Sequence, residues 1–288
     1  MQIGGKTKVC GLIGNPVEHT LSPLIHNHLA KAMGEDLVYV PFLVENQNVE
    51  AAVKGAYALS ITGLNVTVPH KSAVIPYLKE LDPLAEKIGA VNTLVRTEGG
   101  YKGYNTDMSG LLRAMKSEGI QIEGKETLLL GAGGASRAVA FMLGTEGAKK
   151  VYLLNRTIDR ALAVAKEVNE AVGREVIIPM SLSEYKNLSG QKYLCIQGTS
   201  VGLYPDCDKA VIEEPDFYEM VDVAVDLIYK PADTRFMTLC REAGAKAYNG
   251  LKMLLYQGVI AYELWNRVQV DESLCQEIYG KMKEAVKV

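Results

Sequence analysis

Short runs of apolar, β-branched residues alternate with segments of helical periodicity along nearly the whole chain, and no other feature restricts its folding so strongly. Such an alternation is the pattern of an α/β protein, in which helices cover a largely parallel sheet. The apolar runs place strands at Lys8–Ile13, Leu37–Leu43, Gly63–Val68, Thr127–Leu130, Val151–Leu154, Val176–Pro179, Tyr193–Gln197, Val223–Leu227 and Ala245–Tyr248. Between them, spacing near 3.6 residues predicts helices near Pro23–Met33 and at Asn46–Leu59, Met108–Glu118, Ala135–Glu146 and Ile158–Val172, with a long last helix from Gly250 to about Arg267. Ala90–Arg96 and Tyr101–Tyr104 flank Thr97-Glu98-Gly99-Gly100, whose paired glycines suggest a hairpin.

The 288 residues suit two domains of ordinary size. The character of the chain changes near Asp107, where a complete βαβα unit begins shortly afterwards. The expected division is therefore a first α/β domain over 1–106 and a Rossmann-type domain over 107–244. The last helix could finish the second array or return to the first domain, making that domain discontinuous.

Composition excludes several classes of protein. With 31 basic and 34 acidic residues the net charge is −3, and no segment forms a basic patch of the kind that nucleic acid or an anionic membrane requires. The longest stretch without a charged side chain, Gly55 to His70, is short of a membrane span and interrupted by glycine and proline. Val9–Gly14 is too brief for a signal peptide, so a cytosolic protein is expected. The five cysteines form no C-x-x-C pair and are odd in number, which argues against a disulfide framework or a zinc cage. Either a monomer or a homodimer fits this composition.

Gly131-Ala132-Gly133-Gly134-Ala135-Ser136 lies directly between an apolar strand and a helix. Glycine there permits a tight turn and lets a pyrophosphate approach the backbone N–H groups of a helix N-terminus. The next strand ends at Leu154, where an NAD-binding fold would place an acid against the ribose 2′-hydroxyl. Here the chain reads Asn155-Arg156-Thr157, with Arg160 one helical turn on. A carboxylate would repel a 2′-phosphate, whereas a guanidinium can bind it with two parallel hydrogen bonds, so NADP is favoured over NAD.

Lys71 follows Pro69, which suits the first position of a short helix that should fail by Pro76. A cation in that first turn faces the positive end of the helix dipole, a poor choice for stability alone but a suitable one for a group that exchanges a proton. Asp107 stands at a helix start and could be a simple N-cap. Asn65 and Thr67 alternate with Val66 and Val68, so their side chains share one face of a strand. Asn92, Thr93, Thr20 and Ser22 add further short polar groups, the last two able either to hold a carboxylate or to cap a helix.

At these residues the sequence resembles the shikimate dehydrogenase family. The likeness is carried by Gly14-Asn15-Pro16, His19-Thr20-Leu21-Ser22-Pro23, Asn65-Val66-Thr67-Val68-Pro69-His70-Lys71, Gly89-Ala90-Val91-Asn92-Thr93, Gly103-Tyr104-Asn105-Thr106-Asp107, Gly131–Arg137, Asn155-Arg156-Thr157 and Asn249-Gly250-Leu251 with Met253, Leu254 and Gln257. It implies that Lys71 and Asp107 are the catalytic pair. It also implies that Thr20, Ser22, Asn65, Thr67, Lys71, Asn92, Asp107, Tyr229 and Gln257 bind shikimate or 3-dehydroshikimate. NADP would be held by Gly131, Ala132, Gly133, Gly134, Ala135, Asn155, Arg156, Thr157, Arg160 and Gly250. Gln257 as a substrate ligand requires residues 245–288 to join the first domain, with the active site in an interdomain cleft. Thr20 stands where the family commonly has serine and Asn249 where aspartate is usual. Those departures leave quinate open as a substrate, so one rival is a quinate/shikimate dehydrogenase with relaxed cofactor use, although Arg156 and Arg160 argue against NAD. A rival of another class is a regulator that binds NADPH or shikimate without turnover, against which the presence of both Lys71 and Asp107 argues.

Overall fold

The computed structural model describes residues 3–188 and 192–286. The first part of the chain forms β1 (Lys8–Gly14), α1 (Ser22–Met33), β2 (Leu37–Leu43), α2 (Val49–Ala58), β3 (Gly63–Val66), β4 (Glu80–Leu81), α3 (Pro83–Ile88), β5 (Thr93–Thr97) and β6 (Gly100–Tyr104). Then come α4 (Thr106–Ser117), β7 (Glu126–Leu130), α5 (Gly134–Thr145), β8 (Lys150–Asn155), α6 (Ile158–Val172), β9 (Ile177–Ser181), β10 (Tyr193–Gln197), α7 (Pro215–Glu219), β11 (Val221–Asp226), α8 (Arg235–Glu242) and β12 (Lys246–Tyr248). Two helices, α9 (Leu251–Asn266) and α10 (Glu272–Val286), follow. By packing the chain forms two units, one running to Leu111 and resuming at Leu254–Val286, the other spanning Leu112–Met253.

In the first unit the sheet order is β2-β1-β3-β5-β6-β4. Its β2-β1-β3 half is parallel, but β5 runs antiparallel to both β3 and β6, so this sheet is mixed rather than parallel throughout. The hairpin is the local cause, since strands joined by a tight turn must run in opposite directions. Glu98 and Gly99 form that turn, and Gly99 takes a φ of 80° that glycine adopts without steric cost. Ile13, Val53, Leu64, Val66, Leu94 and Tyr101 fill one core, each side chain contributing about 1.5–3 kcal/mol when fully buried. The C-terminal helices complete this unit. Trp265 of α9 lies where a Cβ on Gly63 would be, and its indole N–H donates to the Leu94 carbonyl at 2.9 Å.

The second unit has the order β12-β11-β10-β7-β8-β9, every neighbouring pair parallel. Leu128, Leu129 and Leu130 are fully buried, and every residue of β10 is buried. Helices on both faces explain why these strands read as unbroken apolar runs instead of alternating ones. The strand order reverses between β7 and β10, the switch point outside which doubly wound sheets bind ligands.

Several elements differ from the sequence reading. The segment Asn46–Leu59 begins with a turn of 3-10 helix at Asn46–Asn48 before α2. No α-helix starts at Pro69: residues 68–74 form successive turns that end in a 3-10 turn at Ile75–Tyr77. Pro76 has no N–H for the Ser72 carbonyl and disfavours helical backbone at Ile75, so a helix cannot propagate across this short interval.

Candidate active site

Lys71 reaches the site from those turns, its carbonyl accepting the Val91 N–H at 2.8 Å. Because no helix is formed there, no helix dipole opposes its charge. Its Nζ donates to Asp107 Oδ2 at 2.6 Å, with the two side chains 32% and 18% exposed. Asp107 is not the N-cap of α4 but lies inside its first turn, where the dipole favours a carboxylate. Asn105 takes the capping role, its Oδ1 accepting the Asp107 N–H at 3.1 Å.

Around this pair the buried polar residues form a connected set. Asn65 Nδ2 donates to the Asn92 carbonyl at 3.3 Å and to Thr93 Oγ1 at 3.1 Å, while Tyr39 donates its hydroxyl to Asn65 Oδ1 at 2.8 Å. Asn92 Oδ1 accepts the Thr106 N–H at 2.7 Å and the Thr106 hydroxyl at 3.1 Å. The Nδ2 of Asn92 is buried without a hydrogen-bond partner among the described residues. A buried amide donor left open costs about 1–3 kcal/mol, which a ligand oxygen would recover. Thr67 lies one residue beyond β3, shorter than the strand expected to Val68, and its N–H donates to the Ile13 carbonyl at 3.0 Å. Its methyl occupies the space a Cβ on Gly14 would need.

Leu21, not Thr20 or Ser22, stands at the N-cap position of α1. Thr20 Oγ1 accepts the N–H of Ser22, the first residue of the helix, at 3.2 Å and donates its own proton to Ser22 Oγ at 3.1 Å, which clusters both hydroxyls beside the first turn. Gln257 lies on α9, buried, its Nε2 donating to the Leu254 carbonyl at 2.8 Å. Gly110 brings it close to Asp107: a Cβ there would stand 2.6 Å from the Gln257 nitrogen, so only glycine allows α9 to approach α4 one turn beyond Asp107. Sequence reasoning passed over Gly110, although a glycine inside a helix is itself a signal of close packing. Tyr39 gave no such signal, because a tyrosine in an apolar strand reads as core.

In the second unit β7 ends at Leu130 beside Leu154 of β8, and the Gly131 N–H donates to the Leu154 carbonyl at 2.8 Å. The register thus sets the glycine loop next to Asn155-Arg156-Thr157. Gly131 has a φ of 101°, and a Cβ on it would meet Thr199 and Ser136. Around Gly133 and Gly134 there is open space, and α5 begins with no side-chain cap on its first N–H groups. Ser136, standing for the third glycine of the dinucleotide fingerprint, is fully buried and donates to the Gly198 carbonyl at 3.1 Å. It packs helix to strand, as that glycine would. Arg156 and Arg160 are exposed and have no ion-pair partner among the described residues. These features fit a pyrophosphate on the α5 N-terminus and a 2′-phosphate on the arginines.

Tyr229 follows β11 in this unit, and burial raises its hydroxyl pKa. At Gly250 a Cβ would lie 2.1 Å from the Leu227 carbonyl oxygen, and its N–H donates to the Ile228 carbonyl at 2.9 Å, so it serves close backbone packing. Asn249 serves structure too: its Oδ1 accepts the Leu251 N–H at 3.1 Å and its Nδ2 donates to the Ala232 carbonyl at 2.8 Å.

Residues 12–94 match the family model for the shikimate dehydrogenase substrate binding domain, and residues 113–200 that for shikimate / quinate 5-dehydrogenase. A shikimate dehydrogenase (NADP(+)) of Desulforamulus reducens is 42% identical, covering 97% of both chains. Among solved structures, a shikimate dehydrogenase in complex with NADP+ superposes with a TM-score of 0.87 at 38% identity, covering 98% of this chain and 97% of that one. The shikimate 5-dehydrogenase of Thermus thermophilus, in complex with NADP(H) and shikimate, superposes with a TM-score of 0.82 at 35% identity, covering 96% of this chain and 99% of that one. The chain belongs to the shikimate dehydrogenase family.

Proposed function

We propose that this chain is an NADP-dependent oxidoreductase that interconverts 3-dehydroshikimate and shikimate. The observation that carries the reading is the partly buried Lys71–Asp107 pair at 2.6 Å, ringed by short polar side chains. NADPH, when bound, supplies the hydride that reduces the C3 carbonyl. As that carbon gains hydride its oxygen becomes an alkoxide, and Lys71 Nζ gives it a proton, becoming a neutral amine. Asp107 orients the ammonium beforehand and favours its reprotonation afterwards. Shikimate oxidation runs the same proton in reverse.

The first unit carries the groups for the substrate. Thr20 and Ser22 offer paired hydroxyls to a carboxylate, Asn92 offers its open amide N–H to a ring oxygen, and Asn65, Thr67 and Gln257 complete the polar lining for the ring in this reading. The second unit carries the groups for NADP: the open α5 N-terminus with Gly131 to Ala135 for the pyrophosphate, and Arg156 with Arg160 for the 2′-phosphate. Tyr229 is a further substrate contact in this reading, and Gly250 shapes the backbone beside it. Among the described residues no helix is long and apolar enough to cross a membrane. Four of the five cysteines, Cys10, Cys195, Cys240 and Cys275, are buried and act as core side chains.

Lys71→Ala tests the chemistry. Loss of a general acid lowers kcat by about 10²–10⁴-fold while KM for shikimate changes far less. A variant with near-normal kcat would remove Lys71 from the role assigned to it.

A further inference from the structure

We infer that Thr93 and Tyr39 are positioning residues that fix which way the Asn65 and Asn92 amides face, so that Asn92 presents an N–H donor to the substrate. The inference rests on the functional reading above, in which Asn92 is a substrate ligand.

An amide side chain has two nearly isosteric poles, and only its neighbours decide which pole faces a ligand. Here the backbone supplies one bond to each amide, and the Tyr39 and Thr93 hydroxyls hold the amides in the orientation those bonds set. The Thr106 N–H can only donate, so the Asn92 atom 2.7 Å from it is the oxygen. The Asn92 carbonyl can only accept, so the Asn65 atom 3.3 Å from it is the nitrogen. Asn65 Oδ1 then faces Tyr39, whose hydroxyl must donate. Thr93 joins the two amides: its Oγ1 accepts from Asn65 Nδ2 at 3.1 Å and donates to Asn92 Oδ1 at 3.1 Å, with Thr106 Oγ1 also at 3.1 Å.

All five residues are buried, and the Asn65 donors are both used within the protein. What remains open is the Asn92 Nδ2, a donor with no acceptor among the described residues. A ligand oxygen that accepts is therefore recognised, and a group that can only donate is rejected. Tyr39 is itself held at several points. Asn27 Nδ2 donates to its carbonyl at 3.0 Å and Asn27 Oδ1 accepts its N–H at 2.9 Å, while the His26 ring stacks on it at 4.2 Å. Burial lowers the His26 pKa to about 3, so this support stays neutral across the working pH range. Removing the Tyr39 hydroxyl leaves Asn65 Oδ1 unpaired; removing the Thr93 hydroxyl leaves one Asn65 N–H unpaired and takes from Asn92 Oδ1 one of its three hydrogen bonds, which loosens both amides.

The test is steady-state kinetics of Thr93→Val, Thr93→Ser and Tyr39→Phe with shikimate and NADP+. Thr93→Val keeps the shape and loses the hydroxyl, so KM for shikimate should rise about tenfold with kcat within threefold of wild type and KM for NADP+ unchanged. Thr93→Ser restores the oxygen and should return KM to within about threefold of wild type. Tyr39→Phe should follow Thr93→Val. A wild-type protein that turns over no shikimate overturns the functional reading and this inference with it. An active wild type whose Thr93→Val variant has an unchanged KM, or whose Thr93→Ser variant is as impaired as Thr93→Val, overturns the inference alone.

Discussion

Gly110→Ala is the substitution whose effect the geometry specifies most closely. The added Cβ would lie 2.6 Å from the Gln257 nitrogen and 2.9 Å from its Cα, whereas ordinary contact starts at 3.4 Å. Backbone cannot rotate away as a side chain end can, so α4 and α9 must separate by nearly 1 Å. Overpacking of this kind costs about 1–3 kcal/mol, and alanine returns up to about 1 kcal/mol through its better helix propensity. With the full offset the net loss is about 0–2 kcal/mol, a fall in Tm of up to several degrees. The larger effect should be functional, because the shift moves Gln257 relative to Asp107, and a misplacement of about 1 Å can cost up to 100-fold in rate. Differential scanning fluorimetry and steady-state kinetics with shikimate measure the two effects. A Gly110→Ala protein with wild-type Tm and wild-type kcat/KM would refute the close approach of these helices.

Arg156→Ala removes a charge-assisted contact of about 1.5 kcal/mol or more, so KM for NADP+ should rise about tenfold while kinetics with NAD+ stay as they are. Equal losses with both cofactors would show that Arg156 does not read the 2′-phosphate. Asp226 is fully buried, and its pKa is pushed up from 3.8 to about 6 chiefly by burial, against the opposing hydrogen bonds from Thr234, Ile228 and Gln197. Between about pH 4 and 6 the folded chain binds a proton that the unfolded chain has lost, so this carboxyl removes stability as pH rises through that window. Asp226→Asn should therefore gain up to about 3 kcal/mol over wild type on going from pH 4 to pH 7 in urea unfolding, and a pH-independent difference would contradict the raised pKa.

Legibility of the fold followed burial. Tyr193–Gln197 and Ile158–Val172 match their predicted limits because the second sheet is covered on both faces and α6 keeps one apolar stripe. β4 escaped notice, since two residues, one of them glutamate, carry no periodicity. α3 did carry a signal, with Asp82 capping it, Pro83 at its first position and Gly89 ending it at a φ of 68°, yet it is too short to show an apolar face. Cys275, Ile278 and Met282 mark α10 at helical spacing, and that pattern was readable. At the site, Lys71 is legible as a cation at an expected helix start and Asp107 as an acid at a helix start, and the two meet at 2.6 Å. The expected helix under Lys71 does not form, because a proline pair leaves too little room for one. Thr93 and Tyr39 make their contacts between segments distant in sequence, which no local pattern can report, whereas Gly110 carries the signal of a glycine inside a helix and lacks only its partner, Gln257.

The central claim is that this chain oxidises shikimate with NADP+, and one set of assays addresses it: steady-state oxidation of shikimate and of quinate, each with NADP+ and with NAD+. The predicted result is the highest kcat/KM for shikimate with NADP+; the highest value for quinate with NAD+ would contradict the claim in both substrate and cofactor.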